Sequence, residues 1–105
     1  MIVRNEEAQA RSFLGIDFHL LARGERSMVT RMNYRDGDSA PAHAHPNEQS
    51  GYVVSGKIRM IFGDFDQVLG PGDSYSIPAG VEHRVEVIQG GEVLDFFVPP
   101  REDYL

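Results

Sequence analysis

Alternation constrains this chain more than any other feature it has. Segments 12–21, 28–34, 52–55, 58–62, 75–77, 84–88 and 93–98 are rich in Val, Ile, Phe and Tyr, with apolar residues recurring at every second position. A two-residue repeat sends successive side chains to opposite faces of an extended strand, whereas a helix needs a period near 3.6. Between the segments fall "RDGD", "SGK", "FGDFD", "LGPGDS", "PAGVEH" and "QGGE", all rich in turn-forming residues. Many short strands at even spacing predict an all-β sandwich or barrel. Only "NEEAQARSF" near the N-terminus could begin a helix, and it is too short to carry one far. With no internal repeat and no linker, residues 1–105 read as a single domain with one core.

Composition removes several classes of function. No apolar run approaches the ~20 residues of a membrane-spanning helix, so no membrane partner is expected. Cysteine is absent, which excludes disulfides and thiolate chemistry, and any metal must be held by nitrogen and oxygen. The net charge is −6 and the basic residues are scattered, so nucleic acid is not an expected partner. A small acidic molecule still fits, provided one or two arginines point into an enclosed site. The N-terminus has neither a basic start before an apolar core nor a small-residue cleavage site, which makes the cytoplasm the expected compartment.

The chemistry-bearing stretch is "GDSAPAHAHPNEQSGYVVSGK", residues 37–57. In an extended chain His43 and His45 point to one face while Ala42 and Ala44 take the other. Gln49 shares their parity if the chain stays extended, and Glu48 does not. His83 opens a strand in which Val85 and Val87 share its parity, and antiparallel pairing brings it opposite the histidine pair. His19 sits in an alternating strand without a partner and reads as an ordinary surface or core residue. Gly56, Gly70, Gly72 and Gly80 read as turn residues with positive φ. No helix follows "GPGD", so it is not a phosphate cradle. Met28, Met32 and Met60 read as barrel lining or core, and none of the tyrosines is given a catalytic role, although Tyr75 could line a cavity mouth.

The spacing carries a resemblance. Five residues separate Gly37 from His43, one His43 from His45, three His45 from Gln49, and six Gln49 from Gly56. This resembles the first motif of the cupin superfamily (37–56), with glutamine where glutamate is commoner. Gly72, Pro78, Gly80 and His83 resemble the second motif (72–87), which here ends in Val87 in place of the usual asparagine. Fifteen residues lie between the motifs. The resemblance implies a double-stranded β-helix, the cupin or jelly-roll barrel. It also implies one divalent metal on His43, His45, Gln49 and His83. A neutral set of this kind accepts Ni, Zn, Mn, Co or Fe and leaves the ion a strong Lewis acid.

A further resemblance lies in "VLDFFVPPREDYL" taken with "HAHPNEQSGYVVSGK". The two are similar to the small cupins of pectin and alginate breakdown, which convert an unsaturated monouronate to its linear keto form. That likeness implies roles for Asp95, Phe97 and Arg101: the carboxylate moves a proton and the guanidinium holds the substrate's carboxylate. Asp95 shares a face of the last strand with Val93 and Phe97, while Leu94, Phe96 and Val98 form the other. By hydrophobicity alone the second face is the more obvious interior. A surface salt bridge to Glu102 or Asp103 competes with the anchoring role of Arg101. Two other functions stay open: a metal-dependent oxygenase or lyase on another small molecule, and a non-catalytic ligand-binding barrel. Small barrels have open edges, so a homodimer is expected, with "MIVRN" adding to a neighbour's sheet.

Overall fold

The computed structural model describes residues 1–105 and contains ten strands and two short 3-10 turns. The strands are β1 (Gln9–Phe13), β2 (Ile16–Arg23), β3 (Met28–Tyr34), β4 (Ser39–His43) and β5 (Glu48–Val53), followed by β6 (Lys57–Phe62), β7 (Phe65–Leu69), β8 (Ser74–Ile77), β9 (His83–Gln89) and β10 (Gly91–Val98). They form two antiparallel sheets, one in the order β1-β2-β3-β10-β5-β8 and one in the order β4-β9-β6-β7. Neighbours that are distant in sequence, such as β3 with β10, make this the rolled jelly-roll barrel. The predicted all-β class is therefore correct. No helix is long and apolar enough to cross a membrane.

Strand interiors follow the alternation. Ile16, Phe18 and Leu20 of β2, Met28 and Met32 of β3, Ile58 and Met60 of β6, Val85 and Val87 of β9, and Val93 and Phe97 of β10 all turn into one core. Burying an aliphatic or aromatic side chain of this size contributes about 1.5–3 kcal/mol, so the shared inward faces hold the two sheets together.

Four local expectations are corrected. Segment 12–21 is a hairpin rather than one strand, because Leu14 and Gly15 both take positive φ (52° and 80°) and turn the chain between β1 and β2. A left-handed leucine costs roughly 1–2 kcal/mol, which is why "FLGI" does not read as a turn. β7 falls partly on a stretch taken for a turn, since Phe65–Leu69 pairs along β6 with its side chains largely exposed. The N-terminal helical start amounts to a 3-10 turn at Asn5–Glu7. Gly56, Gly72 and Gly80 have positive φ as expected, but Gly70 does not.

Candidate metal centre

The histidines meet because β4 is irregular. Ala40 pairs with Val85 and His43 with His83, so β4 spends three steps where β9 spends two. This bulge breaks the alternation and turns His43 toward the interior beside His83, although Ala40 already faces inward. β4 then ends, and His45 stands in the loop that bends at Pro46 and Asn47 before β5 begins. The chain therefore does not stay extended from His45 to Gln49 as the parity argument required. The bend itself brings them together, with His45 Nε2 and Gln49 Oε1 2.9 Å apart. One ligating nitrogen from each of His43, His45 and His83 lies within 4.8 Å of the others.

Each imidazole is tethered in the same way. His43 Nδ1 donates to the carbonyl of Pro41 at 2.8 Å, His45 Nδ1 to that of Asn47 at 2.9 Å, and His83 Nδ1 to that of Val81 at 2.9 Å. A ring that gives its Nδ1 proton to a carbonyl keeps a bare lone pair on Nε2, the form that binds metal. His45 Nε2 and Gln49 Oε1 are then two lone-pair donors facing each other without a proton between them, an arrangement that a shared cation relieves. Burial lowers the His45 pKa, with the Arg101 charge adding to the effect. Burial also lowers that of His83 to about 4, and the other two imidazoles act in the same direction. Both shifts favour the neutral, metal-binding form of His45 and His83, so the donor set fits a divalent ion.

The last strand resolves the ambiguity of its two faces. Asp95 is 3% exposed and Phe97 1%, while Phe96 (39%) and Val98 (50%) point outward. Phe97 meets the His45 ring edge to face at 5.6 Å. Asp95 lies deeper in the barrel, where Tyr75 Oη donates to Oδ1 at 2.5 Å. Burial raises the Asp95 pKa to about 6, against hydrogen bonds from Tyr75 and Gln49 and the Arg101 charge, all of which lower it.

Arg101 is also inside, at 4% exposure. Its Nε and Nη2 fork onto Asp103 at 3.1 and 2.7 Å, and Nη1 donates to Tyr104 Oη at 2.9 Å. Its guanidinium lies over the rings of Tyr104, Phe13 and Phe97 at 4.0, 4.8 and 5.3 Å. The Asp103 salt bridge that competed with an anchoring role is present, but its arginine is buried rather than on the surface. Together with His43, Gln49, His83 and Asp95, Arg101 lines a cavity of about 30 Å³.

A match to the family model described as "Cupin domain" covers residues 30–98. The chain belongs to the cupin family. Among solved structures this cupin is similar to an RmlC-like cupin from Shewanella frigidimarina NCIMB 400. The two are 28% identical with a TM-score of 0.91, over 99% of this chain and 95% of that one. It is likewise similar to KdgF from Halomonas sp., at 25% identity and a TM-score of 0.88, over 98% of this chain and 96% of the other. The oxalate decarboxylase OxdC of Bacillus subtilis shares the fold at 19% identity and a TM-score of 0.80, with 94% of this chain matched to 30% of that larger one. No curated protein sequence matches the chain significantly.

Around this cupin's candidate metal centre, sequence reasoning missed Asn47 and Tyr104 and went no further with Tyr75 than a possible place at a cavity mouth. Tyr75 reaches Asp95 from another strand, and only its inward parity with Ile77 hinted at it. Asn47 is buried and donates through Nδ2 to the Pro99 carbonyl at 2.7 Å, tying the histidine loop to the C-terminal tail. Tyr104 is buried beneath Phe18 at 4.4 Å and anchors that tail. Nothing in a tail sequence rich in Pro, Arg, Glu and Asp signals that it folds inward.

Proposed function

We infer that this cupin opens the ring of a small acidic sugar, converting an unsaturated monouronate to its linear keto form. The observation that carries the reading is a carboxylate inside the barrel, Asp95, in the cavity that His43, His83, Gln49 and a buried arginine also line. A carboxylate in an apolar interior is costly unless something there uses it. The resemblance of the histidine stretch and the tail to the uronate-linearising cupins points the same way, as does a likeness to KdgF that spans nearly all of both chains.

His43, His45, Gln49 and His83 would hold the metal, which would supply Lewis acidity to a substrate hydroxyl or carbonyl oxygen. Asp95 takes the proton of the ring hemiacetal hydroxyl. The carbon–oxygen bond of the ring breaks, its electron pair stays on the ring oxygen as an enolate, and a proton delivered to the adjacent alkene carbon completes the ketone. The change is an isomerisation and needs no oxidant. Arg101 uses three of its five N–H groups on Asp103 and Tyr104, which leaves two for the substrate's carboxylate. Phe97 packs against His45 and walls the reacting ring.

A separate groove of about 500 Å³ lies between the histidine loop and the tail, with His45 and Arg101 in its lining.

The direct test follows the ultraviolet absorbance of the conjugated enol in a freshly generated unsaturated monouronate, with protein loaded separately with each candidate divalent ion. Loss faster than the protein-free rate supports the reading. A flat trace with every ion, from protein shown to hold metal, rules it out. Arg101→Gln is expected to raise KM about tenfold to a hundredfold, from the 1.5–3 kcal/mol typical of hydrogen bonds to charged groups, while kcat falls less. Arg101→Lys should recover part of the loss. An unchanged KM in both variants would remove Arg101 from substrate binding.

A homodimer belongs to the same reading. Phe96, Val98 and Tyr52 are exposed on paired strands of the six-stranded sheet, and exposed Val54 follows directly after β5. Met1 and Ile2 extend beyond the sheet at 78% and 87% exposure. Sedimentation equilibrium should give twice the 11.7 kDa of one chain. A mass of one chain at micromolar concentration would overturn this.

A further inference from the structure

Gly51 lies inside β5 with no turn to make, and its φ is not positive. Its lack of a side chain serves space instead: a Cβ there would collide with the ring of Tyr75. In register, Gly51 stands between Asp95 on β10 and Tyr75 on β8. The tyrosine ring crosses over the glycine, and its hydroxyl donates to Asp95 Oδ1 at 2.5 Å. The preceding inward residue of β5 is Gln49, which lines the same cavity as Asp95 and whose amide lies close enough to Asp95 and Tyr75 to lower the pKa of each, while its Oε1 lies 2.9 Å from His45 Nε2.

A primary amide has a donor end and an acceptor end, and only the acceptor end binds a cation. On the barrel side Gln49 meets two acceptors. An ionised Asp95 offers only lone pairs, and the Tyr75 hydroxyl, whose one proton is engaged in the hydrogen bond to Asp95, offers the same. Both favour the amide nitrogen, which leaves the carbonyl oxygen on the histidine side. Nothing on the histidine side enforces that choice in the metal-free protein, since a bare imidazole lone pair would accept an N–H.

We propose that Tyr75 and Asp95 are positioning residues for the metal centre, holding the Gln49 amide so that its carbonyl oxygen faces the three imidazoles. Gly51 is the gap that lets Tyr75 do so. This role is separate from the proton transfer assigned to Asp95 above. It rests on the metal-binding reading of the histidines and not on the identity of the substrate.

The test is a double-mutant cycle read as Zn(II) affinity by isothermal titration, with no substrate present. Gln49→Ala removes the oxygen ligand. In Asp95→Asn the asparagine accepts from Tyr75 through Oδ1 and so turns its own NH2 against that of Gln49. Tyr75→Phe removes a single hydroxyl and keeps the ring, so it carries the test even if the Asp95 variant folds poorly. Each of the two is expected to weaken Zn(II) binding about 10- to 100-fold, as second-shell changes typically do. In the Gln49→Ala background each should then cost little more, because the amide they orient is gone. Wild-type affinity in Tyr75→Phe, or losses that add in full to that of Gln49→Ala, would overturn the proposal while leaving the metal site intact. A wild-type protein that binds no divalent ion would instead overturn the metal reading, and this role with it.

Discussion

Asp95→Asn, assayed with saturating metal, is expected to lower kcat for ring opening by about 10²–10⁴-fold, the range that a positioned general acid–base supplies. Saturating metal separates this effect from the weaker binding that the same variant should show. The argument starts from the pleat: β10 turns Val93, Asp95 and Phe97 inward, so the carboxylate sits at 3% exposure in a wall otherwise apolar along that strand. Burial lifts its pKa to about 6, which leaves it mostly ionised at neutral pH yet basic enough to take a proton and return it. Asparagine keeps the shape and can do neither. KM should change little, because in the proposed reading Arg101, not Asp95, holds the substrate's carboxylate. An Asp95→Asn enzyme with wild-type kcat would mean that the proton moves by another route.

Removing the metal should have the second large effect, on stability. An ion at a thousand times its Kd that binds only the folded state stabilises it by about 4 kcal/mol. At 4–8 °C per kcal/mol for a domain near this size, saturating Zn(II) should raise Tm by about 16–32 °C above chelator-treated protein. His83→Ala is expected to abolish that increment. The ring it deletes is 5% exposed and pairs with His43 on the neighbouring strand of the same sheet, so no solvent-facing neighbour can replace it. The informative quantity is the difference between loaded and chelated samples of each variant, because a cavity at position 83 lowers both. An equal metal-induced rise in His83→Ala would place the ion elsewhere.

The parts of the molecule legible in its sequence are those set by a strict two-residue period. β3 matches its predicted span of Met28–Tyr34, and its burial alternates at every residue along that span. His43, His45, Gln49 and His83 were found by spacing, yet the stated reason for their meeting was partly wrong. A straight strand would have aligned them, whereas the protein uses a bulge in β4 and a bend at Pro46 and Asn47. Alternation carries no signal for an inserted residue. The orientation of β10 was open because each of its faces mixes apolar residues with one carboxylate, Asp95 on one and Glu92 on the other; in the fold Asp95 faces inward between Gly51 and Thr30. Arg101 was named from its resemblance, but its burial depends on Tyr104, Phe13 and Phe97, three aromatics from distant parts of the chain.

The three imidazole tethers have a consequence for how the protein is assembled. Each ring is held by a carbonyl only two residues away along the chain, from Pro41, Asn47 and Val81. Ring orientation is therefore a property of the local backbone, fixed as soon as the barrel closes and before any ion arrives. Loading then resembles docking into a rigid mould more than a folding event, so the empty and charged forms should share one backbone. Ions can exchange in the finished protein without unfolding it. Which one it carries is decided by supply at that moment and by how well each tolerates a spacing that the barrel does not relax.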